Sequence, residues 1–337
     1  MNKKVVLGVA VIILVVLIGL GAWSLAGSRK NATGPVESIR VAYSPFESTA
    51  LFWIAEDRHF FKENRINITV RKYDSGATAL DGMIEGEADV VVGTTEYPLV
   101  RKAFQGEKIR ALGNIDKGNF IYIVGRRDRG IGKIADLRGK RVGTTFGTVA
   151  EFHLGRFLTL HGMDMQDITP VDVRTPDGWV NAVADGDIDA ICTAQPYANA
   201  ARDRLGENAI VWSAQSSQPL FALVIATDGW VTGHPGTATR FLTSLTEAED
   251  YASLHPAEAR SIVQKRLDLD AGYMDTVWDQ NRFSLTLDQS LVLAMEDEAR
   301  WMIANNLTNA MAVPDFRKNI YVDGLEGVKP GSVNIIQ

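Results

Sequence analysis

Cysteine is nearly absent: Cys192 is the only one in 337 residues. A single thiol excludes an intramolecular disulfide and any cysteine cluster for zinc. It falls inside an apolar strand-like run, where a buried and inert thiol is the expected state. Histidine is sparse as well, with five residues scattered at His59, His153, His161, His234 and His255. None of them forms HExxH, and there is no GxSxG elbow or phosphate-binding glycine–lysine loop. No motif therefore argues for an enzyme, and no cofactor or metal is expected. Basic clusters with interleaved aromatics are missing, and the net charge is -6. That balance argues against a nucleic-acid partner.

What the chain does contain is a pattern used twice. Residues Leu80–Tyr97 read LDGMIEGEADVVVGTTEY, and Val180–Tyr197 read VNAVADGDIDAICTAQPY. The two copies share Gly86/Gly186, Asp89/Asp189 and Tyr97/Tyr197. In each, apolar residues at helical spacing (Leu80, Met83, Ile84; Val180, Val183, Ala184) precede a glycine suited to a left-handed helix end. A short apolar run follows, Ala88–Val92 or Ile188–Cys192, as expected of a buried parallel strand. Small polar residues come next, ahead of another helical stretch. Ligands of open α/β sheets bind beyond the carboxyl ends of such strands. Two copies predict two α/β lobes facing one cleft.

The chain in order supports that division. Lys3 and Lys4 precede an apolar run from Val5 to Ala26, long enough to span the hydrocarbon core as a helix. An uncleaved N-terminal membrane anchor is the first reading. A cleaved signal is the second, because Ser24-Leu25-Ala26 resembles a small-x-small cleavage site. The lysines place the N-terminus inside and the body outside the cytoplasmic membrane. Residues 28–37, with Gly34 and Pro35, read as a tether.

The first lobe is expected to comprise residues 38–125 and 220–337, and the second 126–219. Strands are predicted over Ser38–Tyr43, Ile66–Val70, Lys108–Ile115, Phe120–Gly125, Arg141–Thr145, Ile168–Val173 and Ala209–Trp212. Pro219–Ala226 is expected to cross back to the first lobe. The rest, to about Asn306, is expected to be mostly helical, over Ala238–Ala252, Pro256–Leu267 and Leu287–Ile303. The last thirty residues are expected to wrap the surface.

These stretches carry a resemblance that runs from Ile39 to Asn306. IRVAYSPF with LFWIAEDRHFFKENRINITV, the first repeat copy, IADLRGKRVGTTFGT and DGWVNAVADGDIDAICTAQPY together resemble the extracytoplasmic substrate-binding proteins of ABC importers, of the nitrate/sulfonate/taurine type. The resemblance implies a type II periplasmic-binding-protein fold with two interlobe crossovers. It also implies hinge closure on a small sulfonate or other oxyanion-bearing solute, and delivery to an ABC permease with its ATPase. A monomeric body follows from the same resemblance. The family branch that synthesises a pyrimidine carries a cysteine-rich segment, which is absent here.

By the same resemblance, Ser44 and Phe46 line the cleft from the loop after the first strand. Ser75 and Gly76 belong to the second loop, and Thr94, Thr95 and Glu96 to the third. The second lobe contributes Thr145, Gly147 and Thr148 before a helix, and Gln195 and Tyr197 after the second repeat copy. Free N–H groups at those helix starts suit sulfonate, nitrate or carboxylate oxygens. Hydroxyls of Ser75, Thr94, Thr95 and Thr148 are expected as further donors. Phe46, Trp53 and Trp179 are the aromatic candidates for an apolar portion of the ligand. Glu47, Glu96 and Asp177 are first read as ordinary solvated or capping acids; at the cleft they would repel an anion and suit an amine or a cationic pyrimidine, so the choice between anion and amine stays open. A tethered ligand-sensing ectodomain is the remaining alternative.

Overall fold

The computed structural model describes residues 34–216 and 218–336. The apolar run Val5–Ala26 lies outside them, so the anchor or signal expected there is not described. Among the described residues, no helix is long and apolar enough to cross a membrane.

From Val36 onward the chain forms one compact unit built on two sheets. β1 (Glu37–Tyr43) leads through a short 3-10 turn, Glu47–Thr49, to helices α1 (Ala50–Asp57) and α2 (Phe60–Glu63). β2 (Ile66–Lys72), α3 (Gly76–Ile84), β3 (Val90–Thr94), α4 (Glu96–Phe104) and β4 (Ile109–Gly118) follow. The chain then crosses into a second sheet with β5 (Ile121–Arg126), β6 (Arg141–Thr144), α5 (Val149–Leu160) and β7 (Thr169–Asp172). That sheet is completed by α6 (Pro176–Asp185), β8 (Ala190–Ala194), α7 (Tyr197–Leu205) and β9 (Ala209–Ser213).

β10 (Leu220–Thr227) returns to the first sheet, followed by α8 (Asp228–Gly233), α9 (Pro235–Leu254), α10 (Pro256–Leu267) and α11 (Ala271–Val277). β11 (Asn281–Asp288), α12 (Gln289–Ala304), α13 (Val322–Val328) and β12 (Val333–Asn334) close the chain. Among the described residues the larger sheet runs β12-β11-β4-β10-β3-β1-β2, and the smaller one β7-β6-β8-β5-β9.

The repeat has a structural explanation. Gly86 and Gly186 sit at φ +83° and +89°, where a side chain would be strained. Each shared aspartate then clamps the neighbouring parallel strand. Asp89 accepts the Arg40 backbone N–H at 2.8 Å, and Asp189 accepts that of Arg141 at 2.9 Å. The strand behind each clamp is shielded on both faces, hence its unbroken apolar run. All of β3 is buried, as are the first four residues of β8.

Three expectations need correction. Both repeat strands begin two residues later than the apolar runs suggested, since the shared aspartate and the residue before it belong to the approach. Ile121–Arg126, placed with the first lobe up to residue 125, pairs instead with β8 and β9 in the smaller sheet. β11 falls in a region read as mostly helical. Its alternation of Phe283, Leu285 and Leu287 is a strand period, and it pairs antiparallel with β4. Flanking helical patterns on both sides masked that short signal.

Candidate functional site

A cavity of about 100 Å³ lies where the carboxyl ends of strands from both sheets meet. The larger sheet supplies Ser44, Phe46, Glu47 and Ser48 after β1, Ser75, Gly76 and Ala77 before and in α3, and Gly93, Thr95 and Pro98 around the start of α4. The smaller sheet supplies Thr145, Thr148, Val149 and Ala150 ahead of and in α5, Trp179 from α6, and Thr193, Ala194 and Gln195. Phe120–Ile121 and Leu220–Ala222 complete the wall from the two segments that pass between the sheets.

Local rules place these side chains. Ser75 is an N-cap whose Oγ accepts the Thr78 N–H at 3.2 Å, while Thr78 returns a bond to the Ser75 N–H. Gly76 follows because β3 runs directly beneath it: a Cβ there would lie 2.7 Å from Thr94 Cα and 2.9 Å from Thr94 Oγ1. Gly76→Val is therefore expected to lift the start of α3 away from β3, at a cost of ~1–3 kcal/mol. Urea denaturation checks it, and unchanged stability would mean that β3 yields freely.

That close contact also covers Thr94. Its Oγ1 is buried without a partner and does not reach the cavity, whereas Thr95, the next residue, does. Successive residues of an extended chain face opposite ways, so only one of the pair can line the wall.

Other expected residues sit one layer back. Glu96 is fully buried and accepts the Phe221 N–H through Oε2 at 3.2 Å. Gly147 donates its N–H to Glu151 Oε2 at 2.8 Å, and its carbonyl accepts from Arg101 Nη1 at 3.2 Å, so it serves the contact between the two halves. Tyr197 packs edge-on against Trp179 (4.8 Å between centroids) and Phe46 (6.2 Å). Trp53 is core, packed on Tyr43 and Phe52, and Asp177 is exposed on α6. Cys192 is buried, donates weakly to Ala150 O at 3.5 Å, and its thiol is pushed upward by burial.

The hydroxyls are less generous than expected. Thr145 Oγ1 donates to Val173 O at 2.7 Å, and Thr148 Oγ1 donates to Thr145 O at 2.8 Å. Each proton is spent, which leaves the oxygens as acceptors. Gln195 is tied at both ends of its amide to Asn199. Among the described residues, the fully buried side-chain atoms at the wall without a hydrogen-bond partner are Ser44 Oγ and Glu47 Oε2, on residues each 1% exposed. Burial pushes the Glu47 carboxyl up to about 7.

Donors for an anion come instead from the backbone. Gly76–Ala77 and Val149–Ala150, the first residues of α3 and α5, lie on opposite walls. Thr148, the N-cap of α5, gives no side-chain cap, and neither does Thr95 before α4. Their first-turn N–H groups remain for other acceptors.

Sequence reasoning missed Phe120, Ile121, Thr193 and Leu220–Ala222 as wall residues. The implied presence of two crossovers was the signal that could have found the crossover members. Ser48 was considered only as a helix cap.

Two α/β lobes joined by two crossover segments, with a cavity at the strand ends between them, define the periplasmic-binding-protein fold. The model of the NMT1/THI5-like family matches residues 47–259, and the chain belongs to that family. A Brucella abortus (strain 2308) protein whose name gives it only a provisional binding role is 23% identical over 77% of this chain and 80% of its own. The alkanesulfonate-binding protein SsuA from Xanthomonas axonopodis pv. citri, solved bound to MOPS, superposes with a TM-score of 0.73. It is 18% identical, over 86% of this chain and 99% of that one. The desulfurization enzyme DSZB also shares the fold, with a TM-score of 0.62 and 18% identity over 87% and 98% of the two chains.

Proposed function

We propose that the chain is the extracytoplasmic solute-binding component of an ABC importer. It captures a small sulfonate or other oxyanion-bearing solute between its lobes and delivers it to a membrane permease. The lobes divide where the chain crosses between the sheets, after β4 and before β10. The observation that carries this reading is the pair of helix starts, Gly76–Ala77 of α3 and Val149–Ala150 of α5, facing one small cavity from opposite lobes; the Ser75 cap of α3 takes only the Thr78 N–H. Backbone N–H groups in such positions hold an oxyanion without a side-chain cation. The matched sulfonate-binding structure agrees in fold and in the class of ligand named for it.

Isothermal titration calorimetry of the full-length protein in detergent micelles, against ethanesulfonate, MOPS, nitrate and bicarbonate, tests the proposal. Saturable binding of one of them is expected, and solute at 100 times its dissociation constant should add ~2.7 kcal/mol of stability. Mass spectrometry of the recovered solute should find it unchanged. Failure of every anion to bind would sink the oxyanion reading, and a converted solute would make the chain an enzyme.

A further inference from the structure

Phe120 and Ile121 belong to the cavity wall at the point where the chain leaves one sheet for the other. β4 ends at Gly118 and β5 begins at Ile121, so the backbone changes ladders there. Buried N–H groups at such a change need an acceptor from outside the regular ladders. Gln215, just beyond β9 and 0% exposed, supplies it. Its Oε1 accepts the Ile121 N–H at 2.8 Å and also the Phe120 N–H. Its Nε2 donates to Gly118 O at 3.1 Å, Asn119 Oδ1 at 3.1 Å and Gln218 O at 2.9 Å. Two protons are shared among three acceptors, and the N–H donors on the other side fix which end of the amide is which.

These bonds straddle the division between the lobes. Gly118 closes a strand of the larger sheet, Ile121 opens one of the smaller, and Gln215 follows the last strand of the smaller sheet ahead of the return through β10. One amide thus ties the first crossover to the place where the second departs. The backbone beside it adds to the tie, since Ala214 donates its N–H to Ile121 O at 2.9 Å. The same turn sets the Phe120 ring: a Cβ on Gly118 would lie 2.1 Å from Phe120 Cζ, so the ring folds back over Gly118. A buried amide with both ends satisfied stiffens what it joins, whereas an apolar side chain would leave two buried N–H groups unpaired.

We propose that Gln215 is a positioning residue for solute capture. It pins the two crossovers into one narrow pivot, which fixes both the angle between the lobes and the Phe120–Ile121 part of the wall. Gln215 is not among the described wall residues, so it acts through those two and not on the solute. Its part in binding rests on the capture reading above, while the pin itself is a property of the protein without solute.

The test measures the lobe angle directly, by pulsed electron resonance on the full-length protein in detergent micelles. Spin labels go on Lys72→Cys, at the end of β2, and Arg174→Cys, just after β7, both exposed and one on each sheet. The buried Cys192 takes no label. Without solute, one narrow distance distribution is expected. Gln215→Met, which keeps the volume but not the hydrogen bonds, should broaden it. Gln215→Glu keeps an acceptor for both N–H groups but sets a carboxylate against three oxygens, and should broaden it too. Ethanesulfonate binding should weaken by about tenfold in Gln215→Met, because the competent angle becomes one of many. Circular dichroism confirms that each variant is folded. If neither folds, hydrogen exchange in the wild type decides: without solute, the Phe120 and Ile121 N–H groups should exchange as slowly as those of Ile123 and Val124 in β5. Fast exchange there, or an unchanged distribution in folded Gln215→Met, would overturn the pin. Broadening with unchanged affinity would overturn its part in capture. If no anion binds the wild type while Gln215→Met still broadens the distribution, the capture reading has failed and the pin stands.

Discussion

Stability of this protein should fall as pH rises from 6.5 to 8. Glu96 and Glu298 are both fully buried, and Glu298 has no hydrogen-bond partner at either carboxyl oxygen. Burial pushes Glu96 up to about 8, and burial together with the Glu96 charge holds Glu298 well above the usual range. A carboxyl raised in the folded state contributes stability that is complete below its unfolded value near 4.5 and is lost up to its folded value. Glu96 alone should therefore cost about 2 kcal/mol between pH 6.5 and 8, at 1.36 kcal/mol per unit. Asp116, Glu47 and Glu298 act in the same direction.

The opposing groups are silent in that window. His153, held down to about 3 by burial, loses its stabilising contribution only below its unfolded value of 6.5. Asp288, lowered by Lys117 and Ser290 against its burial, matters only at acid pH. Urea denaturation at the two pH values measures the slope, and Glu298→Gln should flatten it and raise stability at pH 8. A flat or rising profile in the wild type would mean that water or a counter-ion reaches these acids.

Such groups mark the boundary of what the sequence discloses. The two repeat strands were legible because burial on both faces leaves an unbroken apolar run, and the glycine ends because only glycine sits easily at φ near +85°. The wall loops were legible in outline: Ser44, Phe46, Ser75, Gly76, Thr95, Thr145, Thr148 and Gln195 reach the cavity. What failed was the choice between adjacent residues. Thr94 and Thr95 are alike in chemistry, and only the contact with Gly76 decides which one faces inward. Nor does a sequence tell which partner takes a hydroxyl proton, so Thr148 looked like a donor to the ligand and is a donor to Thr145. Glu47 and Glu96 likewise looked alike. One ended at the wall and the other beneath it, although each is the first residue of its helical turn.

The seam between the lobes gives the second large effect. On one side stand Tyr97 of α4 and Trp301 of α12, on the other Phe152 and Gly155 of α5. Phe152 lies 6.1 Å from the Tyr97 ring and 5.6 Å from the Trp301 ring, and is 1% exposed. Phe152→Ala would leave a hole bordered by three rigid helices, so a loss of ~3–5 kcal/mol in urea denaturation is expected. Gly155 is the opposite case. A Cβ there would meet Trp301 Cζ2 at 2.3 Å, while the position is ordinary helix, so space and not backbone strain is what excludes a side chain. Gly155→Val should act as a wedge and cost ~1–3 kcal/mol. It should also weaken solute binding by about tenfold or more, because the same helix carries Val149 and Ala150 to the cavity wall and a 1 Å displacement there breaks hydrogen-bond geometry. Phe152→Ala should lose stability chiefly, since a hole lets α5 stay where it is. If Gly155→Val binds and unfolds as the wild type does, the Trp301 ring swings out at no cost, and the seam does not set the position of α5 against the ligand.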